Sequence, residues 1–103
     1  MEYRIIKSPS RGTLDILWRR KGSAATITIA GYDAVGLVQG RLIDMVFAAD
    51  IAEKAAGVIV EDIKGHCPQN LIMIAIFGDT ASVEAALQQI QYKLKAAKTG
   101  ELL

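Results

Sequence analysis

Two short apolar runs constrain this chain more than anything else in it. Gly57-Val58-Ile59-Val60-Glu61-Asp62-Ile63 and Asn70-Leu71-Ile72-Met73-Ile74-Ala75-Ile76-Phe77 are both rich in β-branched residues, and only Lys64-Gly65-His66-Cys67-Pro68-Gln69 separates them. Each run has the length and composition of a strand, and the Gly and Pro between them end one strand before the next begins. The chain therefore contains a sheet, and its other elements must cover that sheet. The connecting loop holds the one cysteine and the one histidine of the sequence, side by side. Loops carry function more often than they carry core.

Two helices accompany these strands. From Arg41 to Ala56 the apolar residues Leu42, Met45, Val46, Ala49, Ala52 and Ala56 recur at three- and four-residue steps, and Gly57 supplies a C-terminal stop. Its small, Ala-rich face implies close packing on the sheet. A second helix is predicted from Ala81 to about Ala97, capped by Asp79 or Thr80. Its apolar face is Val83, Ala86, Leu87, Ile90 and Leu94, while Lys93, Lys95 and Lys98 suit its C-terminal end. Ala34 to Gln39 reads as a further strand, within which Gly36 costs stability unless a helix or backbone packs closely against it.

The front of the chain is richer in strand signals than that block requires. Tyr3 to Ile6 reads as a strand, followed by the turn Ser8-Pro9-Ser10-Arg11-Gly12. Thr13 to Trp18 reads as another, from the alternation of Thr13 and Asp15 with Leu14 and Ile16. Ala24 to Ala30 is a third, made mostly of small residues. The order β-α-β-β-α from 34 to 97 lacks the last strand of a ferredoxin-like split βαβ fold. A circular permutation in which Thr13 to Trp18 supplies that strand closes the sheet most simply. The expected class is thus α+β, an antiparallel sheet with two main helices. Residues 1–103 form a single domain divided into N-terminal strands at 1–33, a core at 34–97 and a tail at 98–103.

Composition removes several functions. A net charge of +1 over 103 residues creates no field that recruits nucleic acid. Arg19-Arg20-Lys21 has no aromatic interleaving, so it reads as a solvated turn or as an edge in polar contact with a neighbouring subunit. No apolar run is long enough to span a bilayer as a helix, and Met1 to Arg4 lacks a signal-peptide layout. Val38-Gln39-Gly40-Arg41 has neither Walker nor dinucleotide-loop spacing. The carboxylates Asp44, Asp50, Glu53, Glu61, Asp62 and Glu84 are scattered, with no nucleophile beside a base, so no enzyme is expected. A lone cysteine excludes an internal disulfide and any metal site built from several Cys ligands of one chain, which suits a reducing compartment.

Three segments in order resemble the BMC domain of bacterial microcompartment shell proteins. They are Ala34-Val35-Gly36-Leu37-Val38, Ala48-Ala49-Asp50-Ile51-Ala52-Glu53-Lys54-Ala55-Ala56, and Gly78-Asp79 with Ser82-Val83-Glu84-Ala85-Ala86. Arg4-Ile5-Ile6, Pro9, Gly12, Thr13 and Leu14 resemble the opening of the circularly permuted subgroup, found in ethanolamine- and propanediol-utilising compartments. The N-terminal stretch is short for the barrel that this subgroup can build over its six-fold axis. The resemblance implies a homohexameric tile that assembles with other shell proteins in a cytoplasmic microcompartment. It also implies that Lys54 is the hexamer-edge lysine, with Arg19 matching the arginine near that edge, and that the loop Gly65, His66, Cys67, Pro68, Gln69 lines the central pore.

Six-fold symmetry would turn one thiol per chain into a ring. Thiolates select zinc, Cu(I) or iron–sulfur clusters, whereas free cysteines without such a setting are more often small core residues. Gly65 permits a tight loop, amide groups of Gly65, His66 and Cys67 can face a bound anion, and Pro68 can shield the sulfur. Gly65 to Pro68 resembles the Gly-x-Cys-Pro pore loop of shell proteins from glycyl-radical-enzyme microcompartments, which implies a 4Fe-4S cluster on Cys67. Three alternate Cys67 residues would suit such a cluster, as would a loop of broken symmetry. His66, whose side chain ordinarily titrates near neutrality, would set the polarity of the pore. The alternatives are a small ferredoxin-like regulatory domain that binds a ligand, and a metabolite-transport tile without metal.

Overall fold

The computed structural model describes residues 1–21, 32–55, 57–65 and 71–100. Within them the order is β1 (Glu2–Lys7), α1 (Arg11–Arg20), β2 (Ala34–Arg41), α2 (Leu42–Lys54), β3 (Val58–Ile63), β4 (Leu71–Gly78) and α3 (Thr80–Lys98). The four strands form one sheet in the order β1-β2-β4-β3, and every neighbouring pair is antiparallel. The N-terminal strand lies beside β2, where the last strand of an unpermuted ferredoxin-like fold would lie. The expected permutation is therefore present.

The strand that closes the sheet is Glu2–Lys7, however, and Thr13 to Trp18 is helical. Ser10 caps that helix: its Oγ accepts a hydrogen bond from the Thr13 amide at 3.2 Å and lies 2.9 Å from the Thr13 hydroxyl. Leu14 and Leu17, three residues apart, then fall on one face, and Arg19 and Arg20 occupy the last turn, where cations suit the helix dipole. The alternation that suggested a strand was this helical spacing sampled over too few residues. The strand expected over Ala24 to Ala30 lies outside the described residues.

The sheet has a core on each face. On one face α2 and α3 bury Met45, Ala48, Ile51, Ala52, Val83, Ala86, Leu87, Ile90 and Leu94 against Ala34, Val38, Ile74 and Ile76. All five apolar positions assigned to α3 are buried. Gly36 is where α3 comes closest: a Cβ there would lie 3.0 Å from Val83 Cγ1 and 3.2 Å from the Leu87 methyls. On α2 the assigned face is partly reversed. Met45 and Ala52 are buried as expected, but Leu42 and Val46 point outward, and Ala48 and Ile51 take the inner positions. A helix this apolar on all sides gives its periodicity no single direction.

On the opposite face, Leu17 of α1 is buried against Val35, Ile63, Ala75 and Phe77, with Leu14, Tyr32 and Leu37 at the margin. The Tyr32 and Phe77 rings pack with centroids 5.7 Å apart, tilted by 42°. Among the described residues, no helix is long and apolar enough to cross a membrane.

Candidate functional site

The pore-loop candidate is anchored at one end of the sheet. Ile63 of β3 pairs with Met73 of β4, and Arg41, the last residue of β2, pairs with Leu71. The chain leaves this end through Lys64 and Gly65 and returns at Leu71. His66, Cys67, Pro68 and Gln69 lie outside the described residues, so the geometry belongs to their anchors. At Gly65 a Cβ would meet nothing within 4 Å among the described residues, and its φ is not left-handed. Among the described residues neither a close approach nor a left-handed backbone angle demands glycine there, and the rest of the loop whose turn it was expected to permit lies outside them.

Helix α1 ends beside the same anchor. Lys64 donates its amide to the Arg20 carbonyl at 2.6 Å, and Lys21 forms an antiparallel bridge with Ile63. Arg20 Nη1 reaches back to the Lys64 carbonyl at 3.4 Å, a long and weak bond. The ammonium of Lys21 sits 4.5 Å over the Trp18 ring. The loop base thus carries two exposed cations, Arg20 and Lys64, held there by main-chain hydrogen bonds. Positive charge favours the thiolate form of a nearby cysteine. Sequence reasoning named the Arg19-Arg20-Lys21 triplet, but the contact with Lys64 joins residues 44 positions apart and left no local signal.

Lys54 and Arg19 are not brought together. Lys54 ends α2, just before Gly57 and the start of β3, while Arg19 lies at the end of α1 that touches Lys64 beyond the other end of β3. Lys54 is exposed and pairs with Asp50 at 2.8 Å. Glu61 is a feature that sequence reasoning missed: it is buried on the α1 side of the sheet, across from Ala75. Its position follows from strand alternation with Ile63, and that is the signal that could have found it. Among the described residues there is no cluster of three or more His, Cys, Asp or Glu side chains able to hold a metal.

Comparison with known proteins agrees with this architecture. The profile of the BMC domain matches residues 34–103, and the chain belongs to the BMC-domain family of microcompartment shell proteins. Two solved structures are similar to it in sequence as well as fold. The ligand-free GrpU microcompartment shell protein from Clostridiales bacterium 1_7_47FAA is 57% identical, with a TM-score of 0.73 over 92% of this chain and 93% of that one. The ligand-free GrpU shell protein from Pectobacterium wasabiae is 38% identical, with a TM-score of 0.69 over 87% of this chain and 99% of that one. No curated protein matches the sequence. The likeness is consistent with a shell protein of a glycyl-radical-enzyme microcompartment. The chain is a structural component of a microcompartment shell, not an enzyme, and proteins of this family assemble as oligomeric tiles with other shell proteins.

Proposed function

We propose that this chain forms a homohexameric tile whose pore loop, Gly65 to Gln69, gathers Cys67 from several copies to hold an iron–sulfur cluster of the 4Fe-4S type. The carrying observation is the position of the loop anchors. Gly65 and Leu71 leave the free end of the sheet beside Arg20 and Lys64, where positive charge favours thiolate and offsets the negative charge of a thiolate-ligated cluster. One cysteine per chain is enough only if symmetry multiplies it. Cys67 supplies the sulfur ligand, and Gly65 and His66 precede it with amides that can face the cluster sulfides. A bound cluster would supply a one-electron redox centre between the two sides of the shell. Lys54 sits at the rim, where it meets its counterpart in the next tile. The regulatory-domain alternative falls with the family assignment.

The test is an anaerobic preparation of the assembled protein. Brown colour, thiolate-to-iron absorbance and matching iron and sulfide contents are expected. Cys67→Ser should remove all three while native mass still reports the hexamer. A colourless, iron-free anaerobic tile overturns the cluster and leaves a metabolite pore as the surviving reading.

A further inference from the structure

The face of the sheet that α1 crosses carries a hollow that the core does not fill. Its floor is one cross-strand row: Gln39 of β2 pairs with Met73 of β4, and Met73 pairs with Ile63 of β3. Directly paired residues point to the same side of a sheet, so these three side chains lie next to one another. Ile16 and Arg20, four residues apart and so on one face of α1, form the wall, and Lys64 stands just past the end of β3. The space is about 320 Å³, the size of a small-ligand site. Ile16 is 50% exposed at its edge, an apolar side chain left without cover.

The charge of the hollow is concentrated at one end. Lys64 donates its amide to the Arg20 carbonyl at 2.6 Å, and this main-chain bond holds the two cationic residues side by side. Among the described residues neither takes part in an ion pair, whereas Arg4, Lys7, Arg11, Lys54 and Lys98 each have a carboxylate partner. Like charges held together repel, and an anion between them removes that cost. Gln39 adds a half-buried carboxamide, able to donate or accept, to an otherwise apolar floor. A second hollow of about 200 Å³ shares Gln39 and Met73 and extends to Glu2 and Arg4, whose charges compensate each other at 3.0 Å. The uncompensated charge along the two hollows is therefore positive, and it lies at the Arg20–Lys64 end.

We propose that this hollow binds a small organic anion. An oxyanion head, carboxylate or phosphate, sits between the Arg20 guanidinium and the Lys64 ammonium, and a short apolar body lies over Met73 and Ile63 against Ile16. The guanidinium fork matches two oxygens of such a head, and the ammonium adds a point charge beside it. Gln39 meets a polar substituent on the body or the water around it. The site draws on α1, β2, β3 and β4 of one chain, and it needs neither the cluster nor the ring.

Calorimetric titration of the full chain carrying Cys67→Ser, which keeps any cluster out of the readout, tests the site. The probes are n-butyl phosphate and butyrate, with inorganic phosphate as the head alone and n-butanol as the body alone. Saturable binding of n-butyl phosphate or butyrate at one site per chain is expected, about tenfold or more tighter than inorganic phosphate. The tighter of the two organic anions identifies the head group. Arg20→Gln and Lys64→Gln, both at exposed positions, should each weaken that binding about tenfold with unchanged far-UV circular dichroism. Lys95→Gln, on the helical layer across the sheet, should leave it unchanged. Ile16→Asn should weaken the organic anion but not inorganic phosphate, which separates a built site from a patch of charge. Absence of saturable binding by both organic anions overturns the proposal. So does inorganic phosphate or n-butanol binding as tightly as they do, or an affinity that Arg20→Gln and Lys64→Gln leave unchanged. Because no cluster is present in any of these samples, the outcome stands apart from whether the native tile holds one.

Discussion

Gly36 offers a quantitative test of how α3 is seated on the sheet. It occupies the middle of β2, paired with Ile5 on one side and Ile76 on the other, and it faces α3. A Cβ there would stand 3.0 Å from Val83 Cγ1 and 3.2 Å from both Leu87 methyls. Optimal carbon–carbon contact is about 3.5–4.0 Å, so the helix must retreat by roughly half an ångström. Overpacking of this kind costs about 1–3 kcal/mol. Replacing a mid-strand glycine by alanine returns about 0.5–1 kcal/mol of backbone entropy. Gly36→Ala is therefore expected to lose up to about 2.5 kcal/mol, with the packing cost at least matching the entropic gain. Urea unfolding at fixed protomer concentration measures this, because assembly links stability to concentration. A double-mutant cycle identifies the cause. Leu87→Ala alone should cost about 2–4 kcal/mol, and adding Gly36→Ala to it should cost much less than in the native chain. A Gly36→Ala protein more stable than the native one would refute the reasoning, as would additivity within about 0.5 kcal/mol.

Two further predictions concern the ends of helices. The Ser82 amide donates to Asp79 Oδ1 at 2.9 Å and the Ser82 hydroxyl to Oδ2 at 2.8 Å; first the amide and then the hydroxyl holds this carboxyl below the usual carboxylate range. Because its pKa is lower folded than unfolded, its stabilisation is present above the unfolded value and is lost as pH falls through the folded one. The Tm gap between native protein and Asp79→Ala should therefore narrow on acidification, and a gap that does not change with pH would count against the charged cap. At the C-terminal end of α2, Lys54→Ala removes an exposed ion pair with Asp50, so folding stability should change by less than about 1 kcal/mol. Electron microscopy should then show intact hexamers that fail to form extended sheets, and normal sheets would remove Lys54 from the edge.

What the sequence disclosed depended on whether its signals were local. α3 was legible residue by residue, because polar positions alternate with Val83, Ala86, Leu87, Ile90 and Leu94 at helical spacing and Asp79 stands at the cap. Gly36 was legible as a demand for close packing, although its neighbour was not. α1 was misread because Thr13 to Trp18 is shorter than two helical turns and its cap, Ser10, sits inside what looked like a plain turn. The inner face of α2 could not be chosen because Leu42 and Val46 satisfy helical periodicity as well as Ala48 and Ile51 do. Only the sheet decides between them. The Arg20–Lys64 contact and the burial of Glu61 follow from how α1 crosses the sheet, which no window of sequence contains.

The permutation has a chemical consequence at the base of the loop between β3 and β4. The closing strand is held by its pairing with β2 and by Tyr3 and Ile5 packing on the helical layer, and neither depends on which end of the chain it comes from. What moving it to the N-terminus changes is the connection. A strand at the N-terminus must be joined forward to β2, and in this chain the join includes α1, laid over the face of the sheet that α2 and α3 leave bare. Leu17 fixes that helix to the sheet, and the bonds between Arg20 and Lys64 fix its end to the base of the loop. Arg20, at the base of the loop that follows β3, is a product of that connection. An unpermuted chain with the same sheet would have no α1 preceding β2 and would need another residue to supply that cation.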